Sequence, residues 1–338
     1  MTPNPIPAIP RDVGASPMPK RVLAVLGQTA TGKSALAIAL AGRYDGEIVN
    51  CDSTAVYRGF DIGTDKVSAE QRCGIPHHLV DIVEPTAEYT AAQYARDAAA
   101  VLAEIHARGR LPVLVGGTGF YYRALTRGLF PGPGRDAALR ERLRAIGRRR
   151  GLEFLHQMLA RVDPPSAERI QRRDEVRIVR ALEVFFLTGR SLTAHFAETV
   201  SPLAGWEVTA IALTMPAADL VPRLARRVDE QFGRGLLDEI RGLLARGVPE
   251  DARPFGGLVY RQALEHLHGA RDEAATRALI VRENRRYARR QLIWFRKEAN
   301  LVWFRGAGES AGTFEQVTRA LDAQLWRGPR RDSGALAP

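Results

Sequence analysis

Arg21-Val22-Leu23-Ala24-Val25-Leu26, followed at once by Gly27-Gln28-Thr29-Ala30-Thr31-Gly32-Lys33-Ser34, decides the architecture. The first six residues form an apolar run with the length of a strand buried on both faces. The next eight satisfy GxxxxGK[ST], and Ser34 to Arg43 has the alanine- and leucine-rich composition of a helix. Strand, glycine loop and helix is the setting in which this pattern wraps a phosphate chain. The glycines let successive N–H groups curl towards one anion, and the helix adds its positive end. Lys33 supplies a mobile cation, and Ser34 offers a hydroxyl to a magnesium ion. The loop therefore specifies a di- or triphosphate ligand and leaves the reaction open.

Working outward, Glu47-Ile48-Val49-Asn50-Cys51 reads as a second strand ending at Asp52, and Leu111 to Val115 as a third, closed by Gly116-Gly117-Thr118-Gly119. An alanine-rich helix spans about Ala91 to Arg108 between them. Strands alternating with helices give an α/β fold, a P-loop-type parallel sheet flanked by helices. Ligands in such sheets bind beyond the carboxyl ends of the strands, where Gly27, Asp52-Ser53 and Gly117-Thr118 all fall. After Pro131-Gly132-Pro133-Gly134 the pattern changes, and Asp136 to Gly189 is helical and arginine-rich. Trp206 to Leu213 reads as a strand returning to the sheet, helical stretches follow near 217–246 and 271–298, and Leu301 to Phe304 reads as a last strand. The expected organisation is a leader over 1–19 without ordered pattern, a catalytic core from 20–130 and 200–306, an all-helical insertion domain over 131–199, and a C-terminal helix and disordered tail over 307–338.

Composition agrees with this division. The 338 residues are 45% hydrophobic and 26% charged, which excludes a disordered chain or a collagen-like fibre. No apolar run reaches the roughly 18 residues of a membrane span. Cys51 and Cys73 are too few for a disulfide framework and lack zinc spacing, so a reduced, cytoplasmic protein is expected, by default a monomer. The net charge of +11 is unevenly placed: 13 basic and 12 acidic side chains lie in residues 1–130, against 36 and 26 in the rest. A basic second region suits a polyanionic partner, or else forms a solvated surface.

Asp52 sits one residue past a strand end, facing the ligand crevice. It could hold magnesium through water, accept a proton from a nucleophile, or merely cap a helix. Three glycines around Thr118 suggest a backbone that approaches a ligand closely. His77-His78 lacks a carboxylate or cysteine at ligand spacing and reads as a structural loop. Arg277 to Glu298 carries eight basic and two acidic residues. Leu279, Ile280, Tyr287, Ile293, Trp294 and Phe295 form its apolar set, with Arg282, Arg285, Arg286, Arg289 and Arg290 opposite. Such a helix either shows a solvated basic face or tracks an RNA backbone, with Tyr287 or Trp294 available to stack on a base or to fill the core. On these residues a small-metabolite kinase and a non-catalytic RNA-binding protein stay open beside an RNA-modifying enzyme.

Taken in order, these motifs resemble the tRNA dimethylallyltransferases, or tRNA isopentenyltransferases. The resemblance runs from the phosphate loop through Asp52-Ser53, Val56-Tyr57, Asp61-Ile62-Gly63-Thr64 with Lys66, and His77 to Asp81. It continues through Leu114 to Gly119, Arg180 to Val184, Tyr260-Arg261-Gln262, Arg289-Arg290-Gln291 and Trp294-Phe295-Arg296. Val67, Val176 and Val259 stand where that pattern more often has proline, glutamine and glycine. The resemblance implies transfer of a dimethylallyl group from dimethylallyl diphosphate to N6 of adenosine 37, beside the tRNA anticodon, with Mg2+ assisting. It implies that Asp52 serves as base with Thr118 as its hydrogen-bonding partner. Gly27, Thr29, Ala30, Thr31, Gly32, Lys33, Ser34 and Arg223 would hold the diphosphate, Ser34 through the metal. It places the tRNA anticodon stem–loop on Asp52, Ser53, Thr54, Ala55 and Thr118, and on Arg140, Val176, Arg177 and Arg180 of the insertion. Tyr260, Arg261, Arg286, Arg289, Arg290 and Gln291 complete that implied surface.

Overall fold

Alternating apolar side chains of the first strand feed two separate cores, and this fixes the layers. The structure, a computed structural model, describes residues 19–130 and 132–325. The expectations for the leader up to residue 18, for Pro131 and for the tail beyond residue 325 lie outside the described residues. In β1 (Arg21–Gly27), Val22, Ala24 and Leu26 face one side of the sheet while Leu23 and Val25 face the other. Helix α1 (Lys33–Arg43) leaves the glycine loop and buries Leu36, Ala37, Leu40 and Ala41 on the second side. β2 (Gly46–Asn50) follows, then a two-residue β3 (His77–His78). Helix α2 (Ala91–Ala107) opens on a capping box made by Thr90 and Gln93. β4 (Leu111–Val115) leads into α3 (Gly119–Arg127).

The insertion is helical throughout, as expected: α4 (Ala137–Arg150), α5 (Leu152–Val162), α6 (Pro164–Arg169), α7 (Glu175–Thr188) and α8 (Leu192–Ala197). It has its own small core around Leu143, Leu155, Leu159, Ile178 and Leu182. Helices α4, α6, α7 and α8 start on side-chain caps from Asp136, Asp163, Asp174 and Ser191, and α5 starts at Gly151 without one. The chain returns through β5 (Glu207–Thr214) and runs on through α9 (Ala217–Gly233), α10 (Leu236–Ala245), α11 (Tyr260–Leu267) and α12 (Glu273–Phe295). β6 (Leu301–Arg305) and α13 (Ala311–Ala320) follow, and a wider helical turn over Leu321–Leu325 closes the described chain.

The six strands form one parallel sheet in the order β3-β2-β4-β1-β5-β6. Parallel pairing points every carboxyl end the same way, so the glycine loop, Asp52 and Gly116-Gly117-Thr118 meet along one edge. His77 and His78 differ from expectation: they are an edge strand paired with Ile48 and Val49, not a loop. The His78 ring nitrogen meets the buried Glu47 carboxylate at 2.7 Å, which fastens that edge. Among the described residues no helix is long and apolar enough to cross a membrane.

Candidate active site

The phosphate loop is shaped by positions that only small residues tolerate. Gly27 has φ +127°, and a Cβ there would run into the backbone of Leu213 in β5. Gly32 has φ +80° and leaves no room for a Cβ beneath the Glu309 carboxylate. Thr31 turns inward, its hydroxyl donating to the Gln28 carbonyl at 2.8 Å. The Lys33 ammonium donates to the same carbonyl at 2.5 Å. Burial above all, then the Arg227 charge, lowers its pKa to about 7, while Asp52 pulls the other way. Ser34 is exposed at the start of α1, beside this ammonium in the wall of a cavity of about 660 Å³.

Helix α9 puts Arg223, Arg226 and Arg227 on the cavity wall, three and four residues apart and thus on one face. Arg223 donates from Nε to the Ala30 carbonyl at 2.8 Å and pairs with Glu309 at 2.5 Å. Arg227 donates to the Thr29 hydroxyl at 2.6 Å and pairs with Asp65. Asp65 also holds Arg234 and accepts from Gln231 at 2.6 Å, so the 61–66 loop clamps α9 to the site. Sequence reasoning singled out Arg223 but not Arg226, Arg227 or Asp65. The helical spacing of the three arginines was the available signal.

Asp52 lines the same cavity from the end of β2. Asn50 fixes its backbone by accepting from the Asp52 N–H and donating to the Asp52 carbonyl, both at 3.0 Å. Its Oδ1 accepts from the Thr54 N–H at 2.9 Å and the Thr54 hydroxyl at 2.6 Å. Asp52 thus closes a turn on Thr54 and caps no helix, and Oδ2 has no protein partner among the described residues. Thr118 does not reach this carboxylate in the structure. Its hydroxyl accepts from the Ser53 N–H at 3.0 Å and lies 3.3 Å from the Ser53 hydroxyl, joining the ends of β2 and β4. Cys51 is buried, and burial pushes its thiol up to about 12, so it is inert.

The residues expected at an RNA surface separate into two groups. Arg261, Arg286, Arg289 and Arg290 are exposed, and Arg290 reaches the cavity wall over the Tyr287 ring. Ser53, Thr54 and Ala55 line the cavity mouth. Val176 and Arg177 are exposed at the start of α7. Tyr260 and Gln291, by contrast, are buried. Tyr260 donates from its hydroxyl to Glu239 at 2.6 Å and accepts from the Gly63 N–H at 3.0 Å. Gln291 accepts from the Thr29 N–H at 2.7 Å and donates to the Gly117 carbonyl at 3.0 Å, tying the phosphate loop to the β4 loop. Arg140 and Arg180 both bind the buried Glu183 carboxylate, whose pKa falls to about 2 because these hydrogen bonds outweigh its desolvation. They brace α4 against α7. Val259 holds φ +76°, an unusual strain for a β-branched residue in the wall of a site.

A family profile described as IPP transferase matches residues 55–298. A tRNA dimethylallyltransferase of Solibacter usitatus is 46% identical over 289 residues, covering 86% of this chain and 94% of the relative. One from Anaeromyxobacter dehalogenans is 47% identical over 286 residues, covering 84% and 94%. The crystal structure of a full-length tRNA isopentenylpyrophosphate transferase from Bacillus halodurans is 36% identical, with a TM-score of 0.68 over 90% of this chain and 97% of that one. A eukaryotic dimethylallyltransferase acting on tRNA is 25% identical, with a TM-score of 0.74 over 89% of this chain and 77% of that one.

Proposed function

The chain belongs to the IPP transferase family, and from that premise we propose how it works as a tRNA dimethylallyltransferase. It transfers a dimethylallyl group from dimethylallyl diphosphate to N6 of adenosine 37. The observation that carries the mechanism is a single cavity onto which the phosphate loop and the Asp52 carboxylate both open, with the basic face of α12 beside it.

The adenine N6 lone pair is delocalised into the ring, so the reaction needs close placement and a proton acceptor. The N6–C1 bond forms while the C1–O bond breaks; the N6 proton passes to Asp52 Oδ2, and diphosphate leaves. Loop N–H groups from Ala30 to Ser34, the Lys33 ammonium and the α9 arginines stabilise the charge that builds on the leaving oxygen. Thr118 holds Ser53 and thereby the Asp52 turn. The adenosine must leave its stack to reach the cavity. Among the described residues no group of three or more His, Cys, Asp and Glu side chains could hold a metal. The Ser34 hydroxyl beside the phosphate loop fits Mg2+, which keeps several waters and takes few protein ligands. When bound, this ion supplies further charge neutralisation to the diphosphate.

The 131–199 helices and the exposed arginines of α12 form the surface for the tRNA anticodon stem–loop. The reading is of a monomer that meets its tRNA in the cytoplasm. The test is incubation with unmodified tRNA and labelled dimethylallyl diphosphate; label on adenosine 37 is expected. Folded, tRNA-binding protein that transfers no label would falsify the reading. The small-metabolite kinase, open on the phosphate loop alone, has no use for the basic face. It requires greater thermal stabilisation by ATP–magnesium than by the prenyl diphosphate.

A further inference from the structure

Phe120 is 49% exposed although it lies two residues beyond Thr118, in the first turn of α3. Its setting is built, not loose. The Gly119 backbone packs on Trp294 of α12 so closely that a Cβ would overlap the indole. The Phe120 ring stands edge-on to the same indole, with centroids 6.4 Å apart and planes at 82°. The Arg123 guanidinium lies 4.4 Å from the Trp294 ring centre and is anchored by the buried Glu298. Ile293, next to Trp294, is 47% exposed, and Arg289 and Arg290 are exposed on the same helix. A half-exposed aromatic ring on a rigid base, beside a basic face, fits an unstacked nucleobase whose phosphates the arginines hold.

We propose that Phe120 is the stacking platform for the RNA base adjoining the extruded adenosine, replacing the partner that base loses when the adenosine leaves the helix stack. This rests on the tRNA-modifying reading above. Phe120 acts here as a positioning residue: it lowers the cost of extrusion and takes no part in proton or group transfer.

The test uses the full chain and an anticodon stem–loop RNA with 2-aminopurine at the acceptor position, whose fluorescence rises on unstacking. With wild-type protein the signal rises on binding. With Phe120→Ala the RNA still binds within about threefold, because the phosphate contacts remain, but the rise is largely lost. Turnover on the adenosine stem–loop falls by roughly tenfold to a hundredfold. Phe120→Trp restores both signals, whereas Phe120→Leu, apolar but not planar, does not. Full fluorescence and turnover in Phe120→Ala, or equal rescue by leucine and tryptophan, overturns the proposal. Wild-type protein that prenylates no adenosine stem–loop removes the reading beneath it instead.

Discussion

Replacing Gln291 by leucine tests whether α12 is part of the phosphate-binding machinery. The side chain is 5% exposed and serves two backbone groups at once, the Thr29 N–H at 2.7 Å and the Gly117 carbonyl at 3.0 Å. Leucine keeps the approximate volume and leaves both groups unpaired. Each buried, unsatisfied backbone group costs about 1–3 kcal/mol, and the added apolar burial returns about 1 kcal/mol, so a net loss of about 1–5 kcal/mol is expected. At roughly 2 °C per kcal/mol for a chain of this size, the melting temperature drops by about 2–10 °C. The freed Thr29 segment no longer presents its amides in one arc, so affinity for inorganic pyrophosphate with magnesium falls by about tenfold or more, on the scale of one misdirected charge-assisted hydrogen bond. Thermal melts with and without pyrophosphate, and filter binding of tRNA, measure all three effects. A variant that melts within about 1 °C of wild type, keeps its pyrophosphate affinity and loses tRNA affinity alone refutes the reasoning, and makes Gln291 an RNA contact.

Asp52→Ala should lower single-turnover prenyl transfer by about a hundredfold or more while the tRNA dissociation constant changes by less than about threefold; equal losses in both make Asp52 a positioning contact. Tyr260→Phe should cost about 1–3 kcal/mol in urea unfolding, through the unpaired Gly63 N–H and Glu239, and leave tRNA affinity unchanged; a selective loss of tRNA binding contradicts the buried role. The Lys33 pKa of about 7 lies below its unfolded value, so the free protein gains stability as pH rises from about 7 towards 10 and the buried charge is lost. Diphosphate returns the charge, so calorimetry near pH 8 should find pyrophosphate binding to wild type taking up more protons than binding to Lys33→Ala; equal uptake removes the argument. Gly119→Ala should destabilise the fold by about 1–3 kcal/mol, because the new methyl group overlaps the Trp294 indole; a melt unchanged from wild type shows that the two segments are not in contact.

The central strands were legible because parallel strands covered on both faces read as continuous apolar runs, and β1, β4 and β5 fall within a residue or two of expectation. The phosphate loop was legible because its chemistry is local: eight consecutive residues hold the whole cradle. What escaped was non-local. β3 is two histidines, too short and polar to show any period, and exists because Glu47 and the Ile48–Val49 backbone receive it. In α12 the buried stripe includes Asn284 and Gln291, so an apolar periodicity points to Ile293 instead, which lies half exposed. Gln291 faces inward because the loops after β1 and β4 bring backbone groups that need partners, while Asn284 donates to the Ile280 carbonyl of its own helix. Arg140 and Arg180 read as RNA contacts until Glu183, buried beneath them, is seen to hold both. A positive charge alone does not announce which anion claims it.

The central claim is that one carboxylate, held in a turn after the second strand, faces the exocyclic amine of an adenosine while a glycine loop grips the leaving group. A crystal structure of the ternary complex with an anticodon stem–loop and an unreactive thio analogue of the prenyl diphosphate tests this directly. The account predicts Asp52 Oδ2 within hydrogen-bonding distance of N6, and the diphosphate along the amides from Ala30 to Ser34. An Asp52 side chain turned away from the amine, or a diphosphate seated elsewhere in the cavity, contradicts it.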